Sequence, residues 1–518
     1  MTAASSSSVT VTAEHIVHAA HPSSWQSLPS PFPLGPMDHY VTISIPVQVV
    51  FVYRRPSSSS SEELIPVAWL KRALERLLDY YPHLTGRLEV HPTTGERSIT
   101  RLGSGMGLYE AVCSDPLDAF VSSALPSGIS LQQLPGSGNA LLAPFNPAFQ
   151  AVCNDPLFAV QHTRFACGGV SLGVRVLHTI ADADGFFQLV RDLAEIYRGL
   201  LEAEKTGNPT SAVPVLAQMP HFKPYMSELM GGNMTTEEQQ TALAYKPSLF
   251  HIEEDGKTAS EGQAMPETMA EIGDKVTMAP EAPTTGHFLR YTGNELQDLK
   301  DRATDPSGKG WVSTFEALSA HFYQCVHRAR VELRAKDPSF GDISPTDFLT
   351  SVNLRTALGP DLPPRYFPQA VFAPWVFIPP EILADGPLWK VAKYAHDMMR
   401  GPAAGSRDSI NGTLRWIAAQ PNKSKIQSGF RFGSGSFMIS QWSKTDMYSG
   451  ATFDTRPILV SPPFTAISLV DALLYTLPTE DQGTPNDTGD IDVAVALSAP
   501  LWQFLVQDGR YMGGRIID

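Results

Sequence analysis

The sequence predicts an α/β protein in which mixed β-sheets are covered by helices. Some apolar segments have the length of a strand, and some longer segments have the apolar period of a helix. The two kinds of segment do not alternate regularly, as they would in repeated βαβ units around a parallel sheet. This order favours mixed sheets with helices packed against them.

Seven segments carry these patterns. Strands are predicted where residues alternate or run apolar over a short length, in "YVTISIPVQVVFVY" (40–53), "GVSLGVRVL" (169–177), "QAVFAPWVFIP" (369–379) and "DIDVAVALS" (490–498). Helices are predicted where apolar residues recur every three or four positions, in "PVAWLKRALERLLDYYPHL" (66–84), "FFQLVRDLAEIYRGLLEAE" (186–204) and "STFEALSAHFYQCVHRARVELRA" (313–335).

Three other stretches have neither period and are predicted to be linkers or loops. Residues 54–63 are short and polar, and residues 121–150 are rich in Ser, Pro and Gly. Residues 205–285 are rich in Pro, Met, Thr and Glu. A structureless loop of that length is uncommon inside one compact domain, so this stretch is interpreted as a crossover between two domains.

The composition narrows the class of protein. The chain has 518 residues, 42% of them hydrophobic and 18% charged, which is the balance of a globular protein with a large core. A formal net charge of −14 disfavours a nucleic-acid binder, because phosphate binding needs clustered Lys and Arg. A local basic pocket for one phosphorylated cofactor is still compatible with that charge.

The cysteines and the N-terminus predict a cytosolic protein. The four cysteines form no CxxC pair, and no Cys/His cluster has zinc-finger spacing, so free thiols and no metal site are expected. The start "MTAASSSSVTVTAEH" lacks the basic and apolar regions of a secretory signal. Apolar runs of the roughly 18 residues that span a bilayer are also missing from the sequence.

One histidine lies where catalytic groups are often held. His178 follows the predicted strand 169–177, and a helix is predicted to start near Gly185 with Asp182 or Asp184 as its N-cap. A short connection at the carboxyl end of a strand is a rigid place for chemistry. A lone histidine there is more often structural, and Asp182 is equally compatible with a plain cap, so spacing alone leaves both readings open.

The residues around His178 resemble a known family. "HTIADADG" (178–185) resembles the HxxxD signature of the CoA-dependent acyltransferases of plants and fungi called the BAHD family, and the whole block 165–187 resembles that family's "F.CGG..LG....H...DG.G.." pattern. Four further blocks are similar to family motifs in the same order: 70–90, 308–330, 352–371 and 439–457.

The resemblance implies a fold of two similar-sized mixed α/β domains, like chloramphenicol acetyltransferase, with a channel between them. On that basis we predict an N-terminal domain at 1–215, a crossover at 216–290 and a C-terminal domain at 291–518. It further implies a monomer that uses acyl-CoA and a small-molecule alcohol, with no nucleic-acid or membrane partner.

The resemblance also implies a role for each site residue. His178 is the expected general base, since the unperturbed pKa of histidine lies near neutrality. Asp182 is expected to turn away from the substrate and pair with Arg355, which holds the histidine loop. Ser440, in "ISQW" (439–442), is the expected oxyanion donor, although a serine at a strand end is equally often only structural.

Some motifs depart from the family pattern. The family's DFGWG reads "ATFDT" (451–455), and its Gly-Asn after Tyr reads Pro368-Gln369. These changes indicate a divergent, fungal-type branch and put the CoA contacts in doubt, with Asp454 as a candidate replacement for the lost carboxylate. By analogy Lys309, Ser313 and Arg456 are the CoA-binding candidates.

The predicted function is O-acylation of a specialised metabolite by acyl-CoA, through a ternary complex without an acyl-enzyme. Acetyl is weakly favoured as the acyl group. Three alternatives stay open: N-acylation of an amine, a condensation-domain-like transferase that takes its donor from a carrier protein, and a non-catalytic relative. Condensation domains have a second histidine at the position before His178, and here that position is Leu177. This difference disfavours the transferase that takes its donor from a carrier protein.

Overall fold

The computed structural model describes residues 8–56, 63–121, 125, 128–206, 216–253, 283–308 and 310–518. Within these ranges the strands are β1 (Val9–Val17), β2 (Phe32–Pro33), β3 (Pro46–Tyr53), β4 (Arg87–Val90), β5 (Arg97–Thr100), β6 (Met106–Cys113), β7 (Phe158–Phe165), β8 (Val170–Leu177), β9 (Phe250–Ile252), β10 (Thr284–Tyr291), β11 (Asp347–Thr350), β12 (Val352–Asn353), β13 (Val371–Phe372), β14 (Trp375–Phe377), β15 (Ile426–Ser428), β16 (Phe437–Gln441), β17 (Leu459–Ser461), β18 (Leu473–Pro478), β19 (Ile491–Ser498) and β20 (Arg515–Ile516).

Helices lie between and around these strands. They are α1 (Ser23–Gln26), α2 (Val67–Tyr80), α3 (Phe149–Asn154), α4 (Ala183–Lys205), α5 (Thr236–Ala244), α6 (Gly293–Arg302), α7 (Thr314–Lys336), α8 (Arg355–Leu358), α9 (Pro380–Asp385), α10 (Leu388–Met399), α11 (Pro402–Gly405), α12 (Arg407–Ala419) and α13 (Leu501–Gln507).

Two mixed sheets form the framework. The first has the order β1-β6-β7-β8-β3-β17, with only β6 and β7 parallel. The second has the order β14-β11-β16-β18-β19-β10-β20, in which β16 runs parallel to both β11 and β18. The mixed α/β class predicted from the order of segments is confirmed.

The long helices bury the apolar faces that their sequences predict. In α2 the buried side chains recur at three- and four-residue spacing, which is one face of a helix: Leu70, Ala73, Leu74, Leu77 and Leu78. Helix α4 contacts α2 and belongs to the same core cluster as the first sheet. Helix α7 belongs to the core cluster of the second sheet. The three predicted helices are confirmed to within a few residues at each end.

Strand β8 is the central element for the site. It pairs with β7 on one side and β3 on the other, and every one of its residues is buried. Protein therefore covers both faces of this predicted strand. Its last residue is Leu177, so His178 is the first residue beyond the sheet.

Two predicted strands differ from the structure. The segment 40–53 is a strand only from Pro46, and the residues before it form a turn closed by Ile45 N–H and the Thr42 carbonyl. The segment 369–379 splits into β13 and β14, which pair in different sheets. Pro374 lies between them, and proline has no N–H for a strand ladder.

The first sheet includes one strand from late in the chain. Strand β17 comes late in the chain but pairs with β3 of the first sheet, through Leu459 opposite Val52. The predicted crossover at 216–290 includes α5 and β9, and β9 pairs with β15. Strand β10 begins at Thr284, inside the predicted crossover. The domain limits at 215 and 290 stay predictions.

All four cysteines belong to the described part of the chain and are free thiols: Cys113, Cys153, Cys167 and Cys325. Within the described ranges, no helix combines the length and apolar character that crossing a bilayer requires.

Candidate active site

Two cavities meet at His178. Cavity A, of about 420 Å³, extends from His178 toward His39, Arg97 and Lys423. Cavity B, of about 280 Å³, extends from His178 toward Ser440 and Phe464. Six residues line both cavities, and they come from both sheets and their loops: Ile45, His178, Leu349, Ser351, Phe432 and Met438.

His178 is held by its backbone and by one ring nitrogen. Its N–H donates to the Ile45 carbonyl over 3.0 Å. Gln369 Nε2 lies 2.6 Å from His178 Nδ1 and also donates to the His178 carbonyl. Burial lowers the pKa of His178 below its ordinary value of 6.5, an effect that its own carbonyl and the charge of Asp182 only partly offset. The neutral imidazole is thereby favoured.

Asp182 is buried and fully engaged by protein donors. Its side chain is 2% exposed. Oδ2 accepts from Arg355 Nη1 and from Ala370 N–H, each over 2.8 Å. Oδ1 accepts from Arg355 Nη2 and from Gly185 N–H, each over 3.0 Å. The carboxylate therefore caps helix α4 and joins the histidine loop to the segment that carries Gln369.

Arg355 also holds that segment directly. Its Nη2 donates to the carbonyls of Tyr366 and Pro368, over 3.2 and 3.1 Å. Although burial opposes its charge, the Asp182 carboxylate and its hydrogen bonds raise the pKa of Arg355 above the ordinary value. The structure brings Asp182 and Arg355 together as a bidentate pair, in the arrangement expected from the resemblance.

Gly185 permits the close approach of α4 to this segment. A Cβ atom there would lie 2.0 Å from the Phe367 carbonyl oxygen, far inside van der Waals contact. Only glycine fits without moving the backbone that leads to Gln369. This close packing explains why the last residue of "HTIADADG", Gly185, is a glycine.

Ser440 lies across the junction from the histidine loop. It is on β16, lines cavity B, and its hydroxyl is 2.9 Å from the hydroxyl of Ser351. Ser351 lines both cavities. The structure therefore brings two linked hydroxyls to the wall of the cavity that His178 also lines.

A third, more polar cavity begins just beyond Ser440. Cavity C, of about 560 Å³, is lined by Gln441, Ser443 and Lys444 on one side and by Lys300 and Ser313 on the other. Ser313 is the N-cap of α7, and its side chain accepts from Glu316 N–H over 3.2 Å. The predicted Ser313 therefore lies at this cavity as a capping residue.

The other two CoA-binding candidates are Lys309 and Arg456. Lys309 lies outside the described residues. Arg456 is not among the described residues that line cavities A, B and C. Its Nη2 donates to the carbonyls of Glu480 and Gln482, over 3.1 and 2.6 Å. Arg456 therefore braces a loop of the chain.

The segment "ATFDT" packs against the first sheet. The Ala451 carbonyl accepts from Tyr53 Oη over 2.9 Å. Asp454 accepts from the Ile65 N–H over 2.6 Å and from Tyr197 Oη over 3.0 Å. Asp454 thus joins α4 to the loop before α2. This contact does not depend on the residues of the family's DFGWG motif that this chain lacks.

Cysteine nucleophiles and clusters of metal ligands are both missing from the described part of the site. None of the four cysteines lines cavity A or cavity B. Within the described ranges, no three His, Cys, Asp or Glu side chains come together as a group that could hold a metal ion.

The fold and the site are therefore those of a two-sheet α/β protein with a histidine loop at the junction of two cavities. The family model described as "Transferase family" matches residues 7–511. The chain therefore belongs to this family, the BAHD acyl-CoA-dependent acyltransferases.

Relatives and solved structures agree with this assignment. Shikimate O-hydroxycinnamoyltransferase of Nicotiana tabacum is 24% identical over 83% of this chain and 84% of its own length. A hydroxycinnamoyl-CoA:5-hydroxyanthranilate N-hydroxycinnamoyltransferase of Avena sativa is 25% identical over 87% and 88%. TRI101 of F. sporotrichioides, solved with coenzyme A and T-2, has a TM-score of 0.62 at 19% identity, covering 94% of this chain and 99% of that one. Vinorine synthase has a TM-score of 0.63 at 14% identity, covering 96% of each.

These structural likenesses establish the fold that the resemblance implied. The fungal-type branch, the cytosolic location and the monomeric state stay predictions.

Several residues at the site were missed from the sequence. Ser351 has no local signal, because its partner Ser440 is distant in the chain. Arg97 and Lys423 also lie far apart in sequence yet line one cavity. Gln369 did carry a signal, since it departs from the family's Asn, but its contact with His178 required the fold.

Proposed function

We propose that this protein transfers an acyl group from acyl-CoA to a hydroxyl of a small metabolite, with His178 as the general base. The observation that carries the proposal is the position of His178 at the junction of cavities A and B, where an acceptor and a thioester can approach from different sides. Its lowered pKa supports the role, because a base must be neutral to take a proton.

The reaction needs one proton carrier and no nucleophile of the protein. The acceptor oxygen attacks the thioester carbonyl carbon while His178 takes the hydroxyl proton. The tetrahedral intermediate then collapses, the carbon–sulfur bond breaks, and the proton passes from His178 to the CoA thiolate. The reaction then runs through a ternary complex without an acyl-enzyme, since His178 acts directly on the acceptor hydroxyl.

CoA is assigned to cavity C and the acyl group to cavity B. Cavity C is lined by Lys300 and Lys444, which can bond phosphate oxygens, and also by Asp487 and Asp490, so the assignment rests on Lys444 following closely after Ser440 of cavity B. The proposed oxyanion donor Ser440 lines cavity B but not cavity A. Cavity A therefore remains for the acceptor.

The geometry favours an acyl group larger than acetyl. Cavity B is mostly apolar, with Trp442, Phe464 and Tyr475 in its lining. An acetyl group has only one methyl beyond the carbonyl and would leave most of about 280 Å³ unfilled. The relatives from Nicotiana tabacum and Avena sativa are hydroxycinnamoyltransferases, which also favours an aromatic acyl group over the acetyl group that the family resemblance suggested.

Filling cavity B tests this size argument. Val470 lines cavity B and is partly buried. We expect Val470→Phe to lower kcat/KM for p-coumaroyl-CoA roughly tenfold relative to acetyl-CoA, since steric changes in an apolar pocket have effects of this order. An equal effect on both donors would contradict the assignment of the acyl group to cavity B.

The oxyanion role of Ser440 has its own test. We expect Ser440→Ala to lower kcat roughly 100- to 1000-fold with little change in KM, as loss of one preorganised donor does. Ser440→Thr keeps the hydroxyl and is the matched control. If Ser440→Ala keeps wild-type kcat and the double variant with Ser351→Ala does too, neither hydroxyl stabilises the intermediate.

N-acylation is the second candidate. It rests on the oat relative, whose name gives an N-hydroxycinnamoyltransferase, and the same histidine can deprotonate an attacking amine. A probe with both groups, such as 4-aminophenol, separates the two by the mass and hydrolysis of its product. The non-catalytic reading is disfavoured, because His178, Asp182 and Arg355 are all present and joined.

The deciding experiment follows CoA release. The purified protein is incubated with acetyl-CoA, hexanoyl-CoA and p-coumaroyl-CoA, each with pooled hydroxylated metabolites, and free thiol is measured. Acceptor-dependent release that is lost in a folded His178→Ala variant is the expected result. No release with any donor, together with no stabilisation by CoA in thermal shift, would contradict the proposal.

A further inference from the structure

We infer that cavity A recognises an acceptor by an anionic group, a carboxylate, held between Arg97 and Lys423. The inference rests on the proposed function and adds the substrate class of the acceptor. It starts from the charge of the cavity, since its described lining residues include two basic side chains, Arg97 and Lys423, and no Asp or Glu.

Neither cation is neutralised by an ion pair within the described part of the chain. Arg97 Nη1 donates to the carbonyls of Asp38 and Val41. Its Nε and Nη2 have no hydrogen-bond partner among the described residues and are not enclosed. Lys423 is 6% exposed, and its Nζ donates to the carbonyls of Ala418 and Gln420. An ammonium has three N–H donors, so one is left for a ligand.

The carboxyl of Asp38 acts on Arg97 without a direct ion pair. Asp38 is buried, and its Oδ2 accepts from Gly35 N–H over 2.6 Å. Among the described residues, Arg97 bonds the backbone carbonyl of Asp38 and not its carboxylate, although the charge of Asp38 favours the charged form of Arg97. Burial raises the pKa of Asp38 well above its ordinary value, which favours the uncharged acid.

A neighbouring histidine reports the field of both cations. His39 lines cavity A; its Nδ1–H donates to the Gly35 carbonyl and its Nε2 accepts from Arg97 N–H, so the ring is neutral. Its pKa is lowered to about 3, first by burial and then by the charges of Arg97 and Lys423. Arg97 and Lys423 therefore both lie close enough to act on His39, at the same end of cavity A.

Two polar groups in the same cavity also lack partners. Ser44 is 1% exposed, and its Oγ has no hydrogen-bond partner in the structure. One end of the Gln369 amide bonds to His178, while the other end is buried without a partner. Both atoms are closed off from solvent, so they are orphan polar atoms in the wall of cavity A and not groups open to its occupant.

The placement of the cations orients the acceptor. Arg97 and Lys423 line cavity A but not cavity B, whereas His178 lines both. An acceptor whose carboxylate lies at Arg97 and Lys423 can extend toward His178 with its hydroxyl. A hydroxylated carboxylic acid of modest size is therefore the expected class.

Matched acid and amide probes test the inference. Binding is measured by calorimetry for 3,4-dihydroxybenzoate against 3,4-dihydroxybenzamide, and for shikimate against its methyl ester. We expect the acid of at least one pair to bind roughly 10- to 100-fold more tightly, as charge-assisted hydrogen bonds would give. We expect Arg97→Gln with Lys423→Met to remove that preference while leaving the neutral probe unchanged.

Controls separate charge from folding. Arg97→Lys keeps a cation, and Lys425→Met removes one from the same turn at a residue that is not in the cavity lining; both are expected to keep most of the preference. The inference is overturned if no acid binds more tightly than its neutral partner at millimolar concentration, or if the preference survives in the double variant.

CoA release on the same pairs distinguishes this inference from the proposed function. Turnover of neutral acceptors alone would keep the acyltransferase and remove the carboxylate site. Preferred binding of acids without turnover of any acceptor would keep the carboxylate site and remove the acyltransferase.

Discussion

His178→Ala is expected to lower kcat/KM roughly 100- to 10,000-fold, the usual contribution of a positioned general base. The ring lines both cavities, and Nε2 can take the hydroxyl proton in the neutral tautomer that carries its own proton on Nδ1, the nitrogen beside Gln369. Since the His178 backbone N–H still bonds to Ile45, the variant should fold. His18→Ala, at an exposed histidine outside the three cavities, is the matched control.

The pH dependence of kcat/KM is an independent test of the role of His178. A general base is active when neutral, and burial lowers the pKa of His178 below 6.5. Activity should therefore persist below pH 6.5 and fall only as the pH drops through the lowered pKa. A kcat/KM acid limb centred above 6.5, or wild-type activity in a folded His178→Ala variant, would remove His178 from the base role.

Asp182→Ala is expected to destabilise the fold by about 3–5 kcal/mol, the typical cost of breaking one side of a buried ion pair. The carboxylate is 2% exposed and accepts from Arg355, Ala370 and Gly185. Its loss leaves the Arg355 charge with only the longer contact to Asp184, over 3.6 Å, and removes the cap of α4. Urea denaturation followed by circular dichroism measures the change.

Activity should fall in the same variant, because the Ala370 contact positions the neighbouring Gln369 against His178. Asp385→Ala is the control, since that carboxylate is 84% exposed and its contact with Arg510 is long. A soluble Asp182→Ala variant with unchanged stability and activity would show that Asp182 does not support the histidine loop. A double-mutant cycle with Arg355→Met isolates the pair itself.

The amino-acid sequence by itself determined the local elements and the main candidates. Apolar residues at helical spacing were enough to locate α2 and α4, because the residues of a helix's buried face recur every three or four positions in the sequence. The same holds for β8, whose apolar run ends at His178. The family resemblance identified Asp182 and Arg355 as partners, and the structure brings them together.

Only the tertiary structure decided the parts that depend on distant contacts. Strand β17 is too short to have a period and exists because β3 is there to pair with it. The charge of cavity A comes from Arg97 and Lys423, which no local pattern connects. Sequence periodicity reports burial along one element, whereas a cavity is formed by side chains from several elements, so its volume, charge and orphan polar atoms arise only when those elements pack.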